Sequence, residues 1–348
     1  MEKKALRFPL FFLLAIILVL VAANLLWGSV SIPPSVIIDL LVHGENVTES
    51  VADISVYSNI LYSSRIPQTV TALVAGAGLA VAGLQMQTVF HNPLAGPSVL
   101  GITSGASLGV AILVMLSGLV GDGFLSKIGY LGEGAVTVAA VVGGLSVMAI
   151  IVALSRHVNS NVTLLIIGLM IGYIAGSLIG VLKYFADEEE VRSYVLWGLG
   201  SFSRVSGDSV WHFALLSLLI QPIAWLQVKP MNLLLLGEEY ATNLGLNCRR
   251  ARLLIILSSG IQTAVVTAFC GPILFLGLAV PHLCRGLFRT SDHRLLMPSC
   301  LLMGASLALF CNLLSRLPGM DGVLPVNSVT ALVGAPVVVS VLKFIHRS

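Results

Sequence analysis

The chain has 348 residues, 57% of them hydrophobic and 10% charged, with 19 basic side chains against 16 acidic ones and a formal net charge of +3. Soluble domains carry about 25% charged residues, so the composition excludes a soluble globular protein and points to no nucleic-acid partner. A bilayer core of about 30 Å takes roughly 20 helical residues, so the length suits about ten crossings with short connections. The expected fold is all-α, a polytopic membrane helix bundle forming one domain over residues 1–348.

Lys3, Lys4 and Arg7 precede an apolar run from Phe8 to Gly28. The run is too long for a secretory leader and no small-residue cleavage site follows it, so it reads as a first span with its basic flank inside. Further apolar segments lie near 68–90, 98–117, 134–154, 162–182, 208–226, 253–271, 273–289, 296–315 and 327–344. About ten transmembrane helices place both termini in the cytoplasm. Thirteen of the 19 basic residues then fall inside: Lys3, Lys4, Arg7, Arg156, Lys229, Arg249, Arg250, Arg252, Arg285, Arg289, Arg294, Lys343 and Arg347. Arg65, Lys127, Lys183, Arg192, Arg204 and Arg316 fall outside, and this bias supports the topology. Acidic residues such as Asp39, Asp208 and the run Asp187 to Glu190 lie outside, a weaker guide. Residues 29–60 and 184–207 are the longest outer connections. Asn46-Val47-Thr48 fits a glycosylation acceptor, a pattern too short and common to carry weight.

Glycines repeat every four residues at Gly101, Gly105 and Gly109, and again at Gly168, Gly172, Gly176 and Gly180. Each set lies on one helix face, where a neighbour can approach closely. A packing seam or a gate that slides along it would both use this pattern. Cys248, Cys270, Cys284, Cys300 and Cys311 show no CxxC spacing and read as small core residues.

Between the spans at 208–226 and 253–271 lies Leu236-Gly237-Glu238-Glu239-Tyr240-Ala241-Thr242-Asn243-Leu244-Gly245-Leu246, followed by Arg249, Arg250 and Arg252. It reads as a short cytoplasmic helix with two carboxylates, a glycine break and a basic run, a structured knuckle suited to docking a partner. Glu238 and Glu239 either meet that partner's charges or stabilise a helix start.

Asn92-Pro93 and Pro281-His282 mark helix ends or kinks. His91 and His282 read as capping or packing groups rather than haem or chelate ligands. Asp292-His293-Arg294 has no nucleophile beside it and reads as a cap for the next helix. No clustered nucleophile, base or metal site is found, so neither an enzyme nor a resident cofactor is expected. The spans hold essentially no interior Asp or Glu, although ion-coupled carriers keep such a group as the coupling site. No GxxxxGK[ST] loop is present to cradle ATP, so any energy comes from a partner.

Seven segments in order resemble the FecCD-like permeases, membrane subunits of type II ABC importers for iron chelates and cobalamin. They are Ser64 to Thr69, Gly83 to Ser107 with its Asn92-Pro93-Leu94-Ala95-Gly96-Pro97, Leu236 to Leu246, Leu276 to His282, Asp292 to Arg294, Leu324 to Val326 and Thr330 to Pro336. The resemblance implies a homodimer in the cell inner membrane. It also implies two cytoplasmic ATP-binding cassette ATPase subunits, which bind the ATP, and a periplasmic or lipid-anchored substrate-binding protein. Under it, Gly237, Glu238, Glu239, Ala241, Leu244, Gly245 and Leu246 form the ATPase coupling element. Arg65 and Arg316 stand where the family meets carboxylates of the binding protein, though interfacial snorkelling also explains them. Gln68 stands where relatives often place a second Arg. The implied cargo is an iron chelate, ferric siderophore or haem, with cobalamin the alternative and an ion-coupled secondary transporter the lesser one.

Overall fold

The structure, a computed structural model, describes residues 7–28, 30–44, 54–116, 130–155, 157–158, 160–316 and 323–345. Lys3, Lys4, Lys127, Arg156, Arg347 and the Asn46-Val47-Thr48 triplet lie outside the described residues. All regular structure among the described residues is helical. The first half comprises α1 (Arg7–Leu26), α2 (Pro34–His43), α3 (Ile54–Ile60), α4 (Ile66–Val89), α5 (Ile102–Leu116), α6 (Tyr130–Ser155) and α7 (Asn161–Phe185). Then follow α8 (Glu188–Gly198), α9 (Ser209–Leu226), α10 (Val228–Leu234), α11 (Glu238–Asn243), α12 (Cys248–Cys270), α13 (Leu276–Phe288), α14 (His293–Leu314) and α15 (Val326–Ile345).

Seven helical stretches are long and apolar enough to cross a membrane, against the ten spans expected. The segments 98–117, 273–289 and 327–344 hold the shorter apolar helices α5, α13 and α15. The described parts of the long connections are largely helical. Pro34 starts α2 at a position where a missing N–H is harmless. Asp187 and Glu190 form a capping box that starts α8. A π-helical turn at Leu61–Arg65 joins α3 to α4 in one unbroken helical run.

Helix α4 is the axis of the bundle, packed against α9, α12, α13 and α14. From Pro67 to Val89 only Val70 and Leu73 are not buried. Two glycine pairs explain how neighbours reach it. A Cβ on Gly76 would sit 2.3 Å from Gly304 O in α14, and one on Gly83 would sit 1.8 Å from Gly277 O in α13. The backbones therefore touch, and dispersion does the work that water does in soluble cores. Gly105 and Gly109 of α5 meet Gly143 and Ala139 of α6 in the same way.

Polar side chains inside this core bond one another or a neighbouring backbone carbonyl. Gln85 Nε2 donates to Ser258 Oγ at 2.8 Å, Gln87 Nε2 to Leu278 O at 3.1 Å, and Arg285 donates to Gln87 Oε1. With no water in hydrocarbon, each such bond keeps a buried group from being orphaned. Among the described residues no Asp or Glu is buried. The outer helices are apolar all round, and Trp27, Tyr184, Phe185, Trp211 and Trp225 stand exposed at helix ends like the aromatic belts of membrane interfaces. Cys270, Cys284, Cys300 and Cys311 are buried free thiols and Cys248 is half-buried.

Candidate functional site

The knuckle is built by two glycines with backbone that side chains disfavour. Gly237 has φ 96° and Gly245 φ 87°, one at each end of α11. Gly245 N–H donates to Thr242 O at 2.9 Å and Leu246 N–H to Ala241 O at 3.0 Å, the paired bonds of a Schellman ending. Asn247 then caps α12, its Oδ1 accepting from Arg250 N–H at 3.0 Å. Ala241 is fully buried beneath the helix. A rigid two-turn element results.

The two carboxylates divide. Glu238 pairs with Arg252 of α12 and accepts from Asn161 Nδ2, at the head of α7, at 3.4 Å. Thr242 Oγ1 donates to Glu238 O at 2.7 Å. Glu239 stays exposed, beside exposed Leu236, Tyr240 and Leu244. Tyr240 and Leu244 are four residues apart and share a face. The knuckle therefore offers a partner an apolar patch edged by one acid. Sequence reasoning missed Asn161, which merely opens an apolar run, and the inward role of Arg252, read only as part of a basic flank.

Arg65, Gln68 and Arg316 are all buried. Arg65 is 2% exposed, with Nη1 donating to Leu25 O at 2.5 Å and Leu26 O at 3.0 Å and Nη2 to Val30 O. It thus caps the carboxyl end of α1, where a cation also suits the helix dipole. Arg316 Nη2 donates to Asn24 Oδ1 at 3.0 Å, and Asn312 Nδ2 donates to the same oxygen at 2.9 Å. Burial, and then the charge of Arg65 nearby, push Arg316 down to about 10. Gln68 Nε2 donates to Ser64 Oγ at 3.0 Å. The structure thus gathers Arg65 and Arg316 at one corner, with their guanidinium groups turned inward.

The glycine row of α7 also divides. A Cβ on Gly168 would meet Leu100 Cα at 2.8 Å and one on Gly172 would meet Ser104 Oγ at 3.4 Å, but Gly176 and Gly180 face nothing within 4 Å. Around them Tyr173, Ile174, Leu178 and Val181 are exposed. The histidines take capping and bridging roles. His282 Nε2 bonds Pro93 O at 2.7 Å, and His293 bridges Asn232 Oδ1 at 2.7 Å and Thr88 Oγ1 at 2.7 Å. Asp292 caps α14, its Oδ1 accepting from Arg294 N–H at 2.9 Å. No group of three metal-ligating side chains occurs among the described residues.

Comparison with known proteins is consistent with this architecture. The FecCD transport family matches residues 15–344. The hemin transport system permease protein HmuU of Yersinia pestis is 38% identical over 283 residues, covering 80% of this chain and 81% of that protein. The vitamin B12 import system permease protein BtuC of Klebsiella pneumoniae is 36% identical over 284 residues, covering 81% and 82%. A metal-chelate type ABC transporter solved in an inward-facing conformation superposes with a TM-score of 0.81 at 28% identity, covering 96% of this chain and 98% of that one.

Proposed function

The chain belongs to the FecCD transport family, the multi-pass permease subunits of type II ABC importers, and from that premise we propose that it translocates an iron chelate, ferric siderophore or haem, across the inner membrane. One observation carries the mechanism: a rigid two-glycine knuckle exposes Glu239, Tyr240 and Leu244 between two membrane helices. A stiff element transmits a partner's closure as a rigid-body push, where a loose loop would absorb it. Gly237, Glu238, Glu239, Ala241, Leu244, Gly245 and Leu246 are the seat of a separate ATPase subunit. Glu239 and the apolar pair make the contact, while Glu238 holds the knuckle to its own chain.

Ten crossings with both termini inside fit the seven long helices together with α5, α13 and α15. The absence of buried carboxylates among the described residues argues against ion coupling. The homodimer forms along the exposed half of α7, with Gly176 and Gly180 facing the second copy. A binding protein docks at the corner of Arg65, Gln68 and Arg316. In the present state both guanidinium groups serve Asn24 and carbonyls of the same chain, so a partner's carboxylate engages them only by replacing those bonds.

The hemin permease and the metal-chelate transporter support the iron-chelate reading. The vitamin B12 permeases support cobalamin as the second. Purifying the binding protein that stimulates the importer and identifying its ligand by mass spectrometry separates them: bound cobalamin overturns the iron reading. Concentrative uptake by the purified chain in liposomes without any ATPase would end the importer reading altogether.

A further inference from the structure

The knuckle helix α11 and the axial helix α4 end in the same kind of turn, but a different residue takes the left-handed position in each. At the end of α11 the left-handed position is Gly245. At the end of α4, His91 N–H donates to Thr88 O at 3.3 Å and Asn92 N–H to Gln87 O at 3.2 Å, again a Schellman ending, but the left-handed residue is His91 at φ 46°. Glycine would sit there without strain. A strained residue that persists is held by its surroundings, and is a place to look for function.

The side chain shows what the strain sustains. His91 Nε2 lies 3.0 Å from Leu234 O, and since a carbonyl can only accept, Nε2 carries the proton. The same oxygen accepts Gly237 N–H at 3.1 Å. One carbonyl therefore joins the end of α4 to the glycine on which the knuckle hangs. On its other side the knuckle is tied to α7 through Asn161 and to α12 through Arg252. Helix α4 in turn has no slack against α13 and α14, because its glycines meet their backbones directly.

We propose that His91 is a positioning residue, a strut that carries knuckle movement into α4 and so into the buried axis of the permease. The proposal rests on the reading that an ATPase acts on the knuckle. A histidine merely tolerated in the turn would give the same fold without any coupling role, so the test separates backbone strain from the side-chain bond. His91→Gly removes both strain and strut. His91→Gln keeps the strain and an N–H donor at similar reach.

The full importer, with its ATPase and binding protein, is placed in proteoliposomes. Uptake per ATP hydrolysed is measured with whichever of haemin, a ferric hydroxamate or cyanocobalamin the parent importer takes up, and Tm is read on each purified complex. His91→Gly is expected to melt at or above the parent and to lose about fivefold in uptake per ATP, the worth of one net hydrogen bond of about 1 kcal/mol. His91→Gln is expected to melt at or below the parent and to keep its coupling. Coupling that follows Tm across the two variants, or that stays at the parent value in His91→Gly, overturns the strut. A parent chain that brings down no ATPase subunit removes the functional reading itself, and the strut with it.

Discussion

Helices α4 and α7 are nearly equal in length and opposite in surroundings. Helix α4 carries Gln68, Thr69, Thr71, Gln85, Gln87 and Thr88 and is buried almost throughout. Helix α7 is the more apolar of the two and exposes Tyr173, Ile174, Leu178, Val181, Tyr184 and Phe185. A soluble protein would arrange them the other way round. In lipid, apolar surface is compatible with the solvent, so burial goes to the helix that needs partners for its polar groups and offers small residues for close approach.

The largest effect should come from filling the α4 contact. Gly83→Leu would drive a side chain into Gly277 O, and we expect a loss of about 3 kcal/mol or more, read as absence of a monodisperse peak in detergent. A normal yield would show that the axis is looser than its glycines suggest. Arg65→Ala comes next. It strips three carbonyls near the end of α1 of a charged donor, which should cost roughly 2–3 kcal/mol and lower Tm. Arg65→Lys, with one compact cation, should recover only part of this. If Arg65→Ala leaves Tm unchanged but abolishes stimulation of the ATPase by the binding protein, the arginine serves docking rather than α1.

Asp292 tests the opposite end of α14 from Arg316. Burial by itself would raise its carboxyl, but the bonds from Arg294 N–H and the Asn232 amide, with the charge of Arg294, hold it below the usual range. A lowered folded value means that its stabilisation is complete above the ordinary carboxylate range and fades as pH falls through the folded value. Asp292→Ala should cost about 1 kcal/mol at neutral pH, and Asp292→Asn less, with the Tm difference from the parent shrinking in acid. The smallest effect on the isolated subunit belongs to α7. Gly176→Leu meets nothing in its own chain, so Tm should not move while uptake falls. Full uptake in that variant would remove α7 from both dimer contact and gating.

Much of this architecture is legible in the sequence. Apolar runs locate the helices because hydrocarbon forces backbone bonds to close within each segment. Glycines on either side of Glu238 to Asn243 mark the knuckle helix, and Asp292 before an apolar run marks a cap. The direction of the Arg65 side chain was not legible, because a cation at a span end reads alike whether it meets a partner or the end of α1. Nor was the role of His91, since positive φ and the reach to Leu234 O depend on how α10 packs beside α4. The division of the α7 glycines depends likewise on the packed face, which runs on through Ala175 and Ile179 toward α5 while residues four apart turn gradually away from it.

The π-helical turn at Leu61–Arg65 has a consequence for relatives. Such a turn is equivalent to one inserted residue in an α-helix, and one residue corresponds to about 100° of rotation. Ile54–Ile60 is therefore phased differently from Ile66–Val89, although the run looks continuous. A homologue without the insertion should show a single-position gap here, and an ungapped correspondence would assign every upstream side chain to the wrong flank of its helix.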